Sequence, residues 1–180
     1  MKKITLIGFS SALLLVGCAT TNPVVVEQPI DTYSSFDSSK SIVMKPAFLE
    51  CLKYNYVCGN LGFEWNEKDP NNSYVLVSID DSHELAKWHG ISGVSFNIDG
   101  DIIALKPLSS GSNIGTDKHR TVTSKLFVTP LSVIERIRKS NNTKVQIDAI
   151  NAAFDYEFEN ANYKYTERFL SKINQAKSIQ

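Results

Sequence analysis

This chain of 180 residues lacks any excess of one charge, since 19 basic side chains are balanced by 19 acidic ones. A protein that binds nucleic acid electrostatically carries a basic patch or stripe. The densest basic stretch surrounds the end of an expected helix, where cations complement the helix dipole; it comprises Arg136, Arg138, Lys139 and Lys144. We interpret it as a solvated face and expect no nucleic-acid partner.

The chain also lacks the patterns of common catalytic and metal sites. His83 and His89 fit no ordinary zinc spacing. Gly111 to Gly115 lacks the Gly-Lys-Ser/Thr ending of a phosphate cradle, and Gly90 to Gly93 misses the Gly-x-Ser-x-Gly serine elbow by one residue. We therefore expect no metal, no cofactor and no catalytic residue. The alternative is an acid-base site drawn from Asp80, Asp81, His83 and Glu84.

Long apolar runs are absent except at the amino terminus. Lys2 and Lys3 precede an apolar run from Ile4 to Val16, which is too short to span a bilayer unaided. This pattern is typical of a secretory signal peptide. Its end, Leu15-Val16-Gly17-Cys18, resembles the lipobox of bacterial lipoprotein precursors. A plain secretory signal or an uncleaved anchor is the alternative.

The lipobox resemblance implies that residues 1–17 are removed and that Cys18 receives a diacylglycerol and a further acyl chain such as palmitate. Each buried methylene contributes about 0.8 kcal/mol, so two or three chains hold a protein at a membrane essentially permanently. Ala19 and Thr20 follow the cysteine, whereas lipoproteins kept in the inner membrane usually carry Asp there. The resemblance therefore implies the periplasmic face of the outer membrane, or the outer face of the plasma membrane in a host with one membrane.

Removing 17 of the 180 residues leaves 163, with 17 basic and 19 acidic side chains and a formal charge of about −2. That length suits one domain. Residues 18–41 are rich in Thr, Ser, Pro, Asp and Gln, and we expect a flexible tether there. Val24 to Val26 could pair as an edge strand within it. Residues 42–180 then form a single globular domain.

The hydrophobic pattern of that domain predicts an α+β fold, with an antiparallel sheet and helices packed on it; a β-sandwich with peripheral helices is the alternative. The strongest single signal is a hairpin at Asp99-Gly100, since these residues readily adopt a tight primed turn. Helices are expected at 46–54, after Thr129-Pro130 with Thr129 as the cap, and at about 162–176. Strands are expected at 74–79, 94–98, 102–105, 122–128, 144–147 and 153–158.

Three cysteines minus the lipidated Cys18 leave Cys51 and Cys58 as a pair. In an oxidising compartment we expect a disulfide between them rather than two free thiols or a cysteine nucleophile. A straight helix would separate seven residues by about 10.5 Å, whereas a disulfide needs Cα atoms within roughly 7 Å. The first helix should therefore end near Tyr54-Asn55.

Functionally, the sequence favours a membrane-anchored periplasmic lipoprotein that binds an envelope protein or cell-wall material and performs no chemistry. The alternatives are a cell-wall hydrolase and an apolar-ligand carrier. Four aromatic residues are typical of a core but would also suit a sugar or peptide groove; they are Tyr54, Tyr56, Trp65 and Trp88.

Overall fold

The structure is a computed structural model that describes residues 28–52, 57–81, 90–117 and 120–178. These residues form two antiparallel sheets and two helices, which confirms a mixed α+β fold. No helix in the described ranges is long and apolar enough to cross a membrane.

The larger sheet contains seven strands. Its order is β1-β2-β3-β4-β9-β7, and β8 pairs with the same edge of β9 further along that strand. The strands are β1 (Ile30–Tyr33), β2 (Lys40–Leu52), β3 (Val57–Asn66), β4 (Asn72–Asp81), β7 (Lys106–Pro107), β8 (Asn113–Asp117) and β9 (Arg120–Pro130). The predicted strands at 74–79 and 122–128 are confirmed as parts of β4 and β9.

The helix predicted at 46–54 is wrong, because residues 46–52 belong to strand β2. The pairing of β2 with β3 shifts register between Met44 and Ala47 and again between Phe48 and Glu50. Each shift adds residues to β2, so its apolar side chains do not alternate strictly and imitate helical spacing. Pro46 falls inside the first irregularity, where its missing N–H costs no ladder bond. The boundary at Tyr54-Asn55 loses its basis with the helix, and those residues lie outside the described ranges.

The domain also begins earlier than residue 42. Ile30 to Tyr33 pair with Val43 to Lys40, so residues 30–41, which the composition assigned to the tether, include the edge strand of the larger sheet. The turn between the strands is closed by hydrogen bonds from Ser34 N to Ser39 O and from Ser38 N to Ser34 O, each 2.9 Å. Val24 to Val26 lie outside the described residues.

The smaller sheet has the order β11-β10-β5-β6, formed by β5 (Ile91–Ile98), β6 (Asp101–Ala104), β10 (Thr143–Ala149) and β11 (Ala152–Glu157). All four strands were predicted within a few residues. The hairpin turn is confirmed: Asp99 has φ 52° and Gly100 has φ 97°, as a primed turn requires. Asp99 Oδ1 also accepts the N–H of Asn142 at 3.1 Å, which ties this turn to the start of β10.

Helix α1 (Leu131–Lys139) follows β9 directly, but Thr129 does not cap it. The ladder between β9 and β4 continues to Pro130 opposite Asn72, so Thr129 stays extended and buried. Pro130 occupies the cap position, and the first helical N–H, from Leu131, reaches the carbonyl of Asn71 at 2.8 Å. The apolar stripe of this helix, Leu131, Ile134 and Ile137, is buried.

Helix α2 (Asn160–Lys177) confirms the predicted carboxy-terminal helix and buries Tyr165, Phe169, Leu170 and Ile173. The ring centroid of Phe63 lies 5.4 Å from that of Phe169 and 5.7 Å from that of Tyr165. Tyr165 also donates its hydroxyl to the carbonyl of Lys45. The helix therefore packs against strands β2 and β3 of the larger sheet.

The two sheets touch where Tyr156 of β11 meets Gly59 of β3. A methyl group at Gly59 would lie 2.8 Å from the nearest ring carbon of Tyr156, closer than carbon atoms approach without displacement. Tyr156 is fully buried. The missing side chain at Gly59 is therefore what lets the aromatic ring lie against the backbone of the larger sheet.

We expect Gly59→Ala to lower the free energy of unfolding by about 1–3 kcal/mol, because the buried ring or the strand must shift. Urea denaturation measures this. Gly115→Ala is the matched control, since Gly115 also lies in a strand of the larger sheet but has no atom within 4 Å of its added carbon. Equal stability of the two variants would contradict the tight contact.

Candidate interaction surface

Both faces of the larger sheet carry apolar side chains. Its inner face carries buried residues of the core, among them Phe63, Val75, Val77 and Phe127. The cross-strand register places a second set of apolar side chains on the opposite side, which we call the outer face. Its apolar members are Ile30, Val43, Phe48, Tyr74, Leu76, Val122, Leu126 and Val128.

These outer-face residues come from four strands, β1, β2, β4 and β9, and between β2 and β4 strand β3 presents Asn60, Gly62 and Glu64 on the same face. Leu76 stands directly opposite Leu126 and Tyr74 opposite Val128, and all four are half-buried. Phe48, in β2, is 54% exposed. Leu108 is also 54% exposed, and its N–H donates to the carbonyl of Leu126 at 3.0 Å, which places it at the opposite border. Among the described residues, the apolar side chains of β4 and β9 thus form one solvent-facing group, and those of β1 and β2 form a second group across β3.

The smaller sheet offers the contrast. Its buried side chains include Phe96, Val145, Ile147 and Tyr156. The alternate residues of the same strands face outward and are largely polar, as in an ordinary sheet with one solvated side; they include Ser95, Asn97, Lys144, Gln146, Asp155 and Glu157. The apolar outer face is therefore a property of the larger sheet and not of exposed strands in general.

Polar groups border the outer face at one end. The hydroxyl of Tyr74 donates to Asp69 Oδ2 at 3.0 Å, and burial together with this carboxylate raises the pKa of Tyr74. Glu64 stands opposite Tyr74. Glu64 also stands opposite Val43 of β2, so its carboxylate lies on the outer face between Val43 and Tyr74.

Strand β1 extends the outer face at its edge, because Ile30 stands opposite Val43. On the other side of β1, Asp31 Oδ2 lies 3.3 Å from the ammonium of Lys40 and 3.2 Å from that of Lys172 in α2. Burial would raise the pKa of Asp31, but the hydrogen bonds from the two lysines outweigh it and lower the pKa. This cluster fastens the edge strand to the helix.

The sequence-predicted site residues are only partly brought together. Seven of them lie outside the described residues: Cys18, Tyr54, Tyr56, His83, Glu84, Trp88 and His89. Asp80 and Asp81 are the last two residues of β4, with Asp80 half-buried. Trp65 is buried in the core and donates its Nε1–H to the carbonyl of Pro70 at 3.2 Å, so it lines no groove.

Cys51 and Cys58 stand directly opposite each other in the ladder between β2 and β3. Residues opposite each other in an antiparallel pair have Cα atoms about 4.5–5.5 Å apart. That separation lies inside the range that a disulfide spans. The two cysteines are thus brought together by strand pairing and not by the end of a helix.

The glycine-rich stretch from Gly111 to Gly115 serves the packing of the sheets. The hydroxyl of Ser112 accepts the N–H of Ile91 at 2.9 Å. Nearby, the buried ammonium of Lys125 donates to the carbonyls of Ile91 at 3.0 Å and Ser110 at 3.4 Å. These bonds fasten the segment between β7 and β8 to the first residue of β5.

Two shallow cavities of about 450 and 400 Å³ flank α2. Their linings are polar; they include Arg138, Glu167 and Asn174 in the first, and Gln28, Arg168 and Lys172 in the second. Within the described ranges, no three His, Cys, Asp or Glu side chains are grouped in a way that could hold a metal ion.

No family model matches the chain, and comparison with curated proteins and with solved structures found no match either. The functional interpretation therefore depends on the geometry of this molecule.

We expect Asp31→Asn to lower stability at pH 7 by up to about 1 kcal/mol, the range of partly exposed ion pairs. Because the folded-state pKa of Asp31 is lowered, its contribution is present above the usual value of 3.8 and disappears as pH falls through the lowered pKa. Urea midpoints at pH 7, 5 and 3 should show the two proteins converging at low pH.

The control is Asp101→Asn, which removes a more exposed pair with Arg136. It should change the midpoints little at any pH. A difference between wild type and Asp31→Asn that persists undiminished well below the lowered pKa would contradict the electrostatic origin of the effect.

Proposed function

We propose that the mature chain is an envelope lipoprotein, anchored through Cys18 at the periplasmic face of the outer membrane, whose domain binds a protein partner through the outer face. The apolar outer face carries this proposal. Monomeric soluble proteins rarely leave large contiguous apolar patches exposed, and such patches mark interaction sites. Binding through this face requires no cofactor and no chemistry.

The other functional alternatives receive less support. A cell-wall hydrolase needs convergent polar groups in a cleft, and the acidic residues with described positions, Asp80 and Asp81, stand at a strand end. A carrier of apolar ligands needs a deep apolar cavity, whereas the two cavities beside α2 are shallow and polar. An apolar, solvent-facing sheet suits a protein surface of matching character.

We also infer the arrangement of layers that leaves this face open. The contact of Tyr156 with Gly59 joins the smaller sheet to the inner face of the larger one. Helix α2 packs through Phe169 against Phe63 on that same inner face. Helix α2 and the smaller sheet then share one side of the larger sheet. This arrangement combines the predicted sheet with helices packed on it and the alternative β-sandwich.

A photo-crosslinking amino acid at Phe48 should yield a discrete protein adduct in intact cells. The same group at Gln146, on the polar side of the smaller sheet, should not. The paired change Leu76→Lys with Leu126→Glu places opposite charges on facing residues, so the sheet can accommodate it. It should abolish the Phe48 adduct while the melting temperature and the membrane fraction stay near wild type.

Persistence of the adduct in this variant, or the same adduct from Gln146, would contradict the proposed surface. An adduct of twice the chain's own mass would identify a second copy instead of a different envelope protein.

We further propose a disulfide between Cys51 and Cys58, supported by their facing positions in the ladder. Its loop is short, so the chain-entropy model gives a stabilisation of about 2.5 kcal/mol. Cys51→Ala and Cys58→Ala should each lower the unfolding free energy by about that amount. The double variant should be no less stable than either single one, because one bond is lost in all three.

Non-reducing peptide mapping of protein from the envelope provides the direct measurement. Recovery of Cys51 and Cys58 on separate alkylated peptides would exclude the bond. Additive losses in the double variant would argue against it independently.

A further inference from the structure

The turn between β1 and β2 presents two aromatic side chains to solvent. Phe36 is 96% exposed and Tyr33 is 65% exposed. The turn itself is ordered by hydrogen bonds: the Phe36 N–H donates to the Ser34 hydroxyl at 3.3 Å, and the Ser39 N–H donates to Asp37 Oδ1 at 3.0 Å. A phenylalanine is thus held away from the protein by a defined backbone, where it gains no burial from the fold.

The charges around this turn are paired. Lys68 donates to Asp37, and this hydrogen bond keeps the pKa of Asp37 far below its usual range. Asp31 is paired with Lys40 and Lys172. The surroundings of the two aromatic rings therefore carry little net charge, and the remaining turn residues are serines.

The size of the patch decides what can occupy it. One Phe and one Tyr bury about 150–250 Å² each at most, whereas a stable protein interface buries roughly 800 Å² per partner. The patch is too small to hold a protein by itself. A bilayer needs no such independent affinity here, because an anchored chain meets the membrane at high effective concentration.

The described part of the chain begins at Gln28, five residues before Tyr33 and at the end of β1 opposite the turn. Gln28 and Pro29 lie next to Arg168 and Lys172 of α2, immediately before β1. From Cys18 to Gln28 the chain reaches at most about 35 Å when fully extended. Tyr33 lies five residues further along an extended strand, about 17 Å from Gln28, so a chain lipidated at Cys18 is long enough to bring the turn to the bilayer surface.

We propose that the β1–β2 turn inserts Phe36, with Tyr33 beside it, into the interfacial region of the membrane that holds the lipid anchor. This inference rests on the lipid anchorage in the proposed function. Tyrosine favours the membrane–water interface, and phenylalanine on an interfacial element buries its ring at the boundary of headgroups and acyl chains. Because the nearby carboxylates are paired with lysines, zwitterionic lipid suffices.

The experiment uses the full lipidated protein, purified from membranes and reconstituted into phosphatidylcholine vesicles with brominated acyl chains. Phe36→Trp adds a fluorophore at the turn, and Phe48→Trp adds one at an exposed position on the outer face. After subtraction of the wild-type signal from Trp65 and Trp88, bromolipid should quench the added emission of F36W several-fold more than that of F48W. Both variants should melt like wild type.

The outcomes separate the two hypotheses. Protein that does not float with vesicles overturns the lipid anchor and with it this inference. Protein that floats but shows no excess quenching of F36W overturns the membrane contact alone, as does equal quenching of F48W. Quenching that requires anionic lipid overturns the role assigned to the aromatic side chains.

Discussion

The contact between the Tyr156 ring and the bare backbone at Gly59 is the constraint on which the rest of the molecule depends. No side chain of β3 stands between the strand and the buried ring at this point, so the ring lies directly against the backbone. We infer that the inner face of the larger sheet is covered by the smaller sheet at this point and by α2 at Phe63. In this inferred arrangement α2 and the smaller sheet lie on the inner side, and neither of them covers the apolar side chains of the outer face. The surface proposed for binding is thus a consequence of how the core is closed.

The sequence predicted those elements whose signals are local. The turn at Asp99-Gly100 needs two consecutive positive φ angles, and residues that tolerate them are visible in any sequence. The apolar stripes of both helices repeat within a few turns and are equally local. Strand β2 was missed because its spacing reflects two irregularities that exist only in relation to β3. Thr129 was misassigned for a similar reason: pairing with β4 keeps it extended, and a cap preference is too weak to compete with a ladder.

The outer face was harder to predict than the fold. Its members come from strands far apart in sequence. The register that places Leu76 opposite Leu126 exists only in the folded sheet, so no local sequence pattern indicates it. One signal was available: Tyr74 to Val77 form an unbroken apolar run, which indicates a strand with both faces apolar rather than one with a solvated side. The pairing of Cys51 with Cys58 was predicted from counting alone. The distance argument that accompanied this prediction assumed that Cys51 lies in a helix. In the structure the antiparallel ladder brings the two cysteines opposite each other.

Anchorage changes what an apolar sheet face can do safely. An exposed apolar face beside an open strand edge invites aggregation, and this chain limits the edge with a strand of four residues that carries the Asp31 ion pairs. The proposed lipid tether would keep the domain at one surface and raise the local concentration of any partner held there. Contact of the β1–β2 turn with the bilayer would add orientation, because that turn lies at one end of the strands. The strands would then run away from the membrane, and the outer face would stand beside the bilayer, open to a periplasmic partner instead of being covered by lipid.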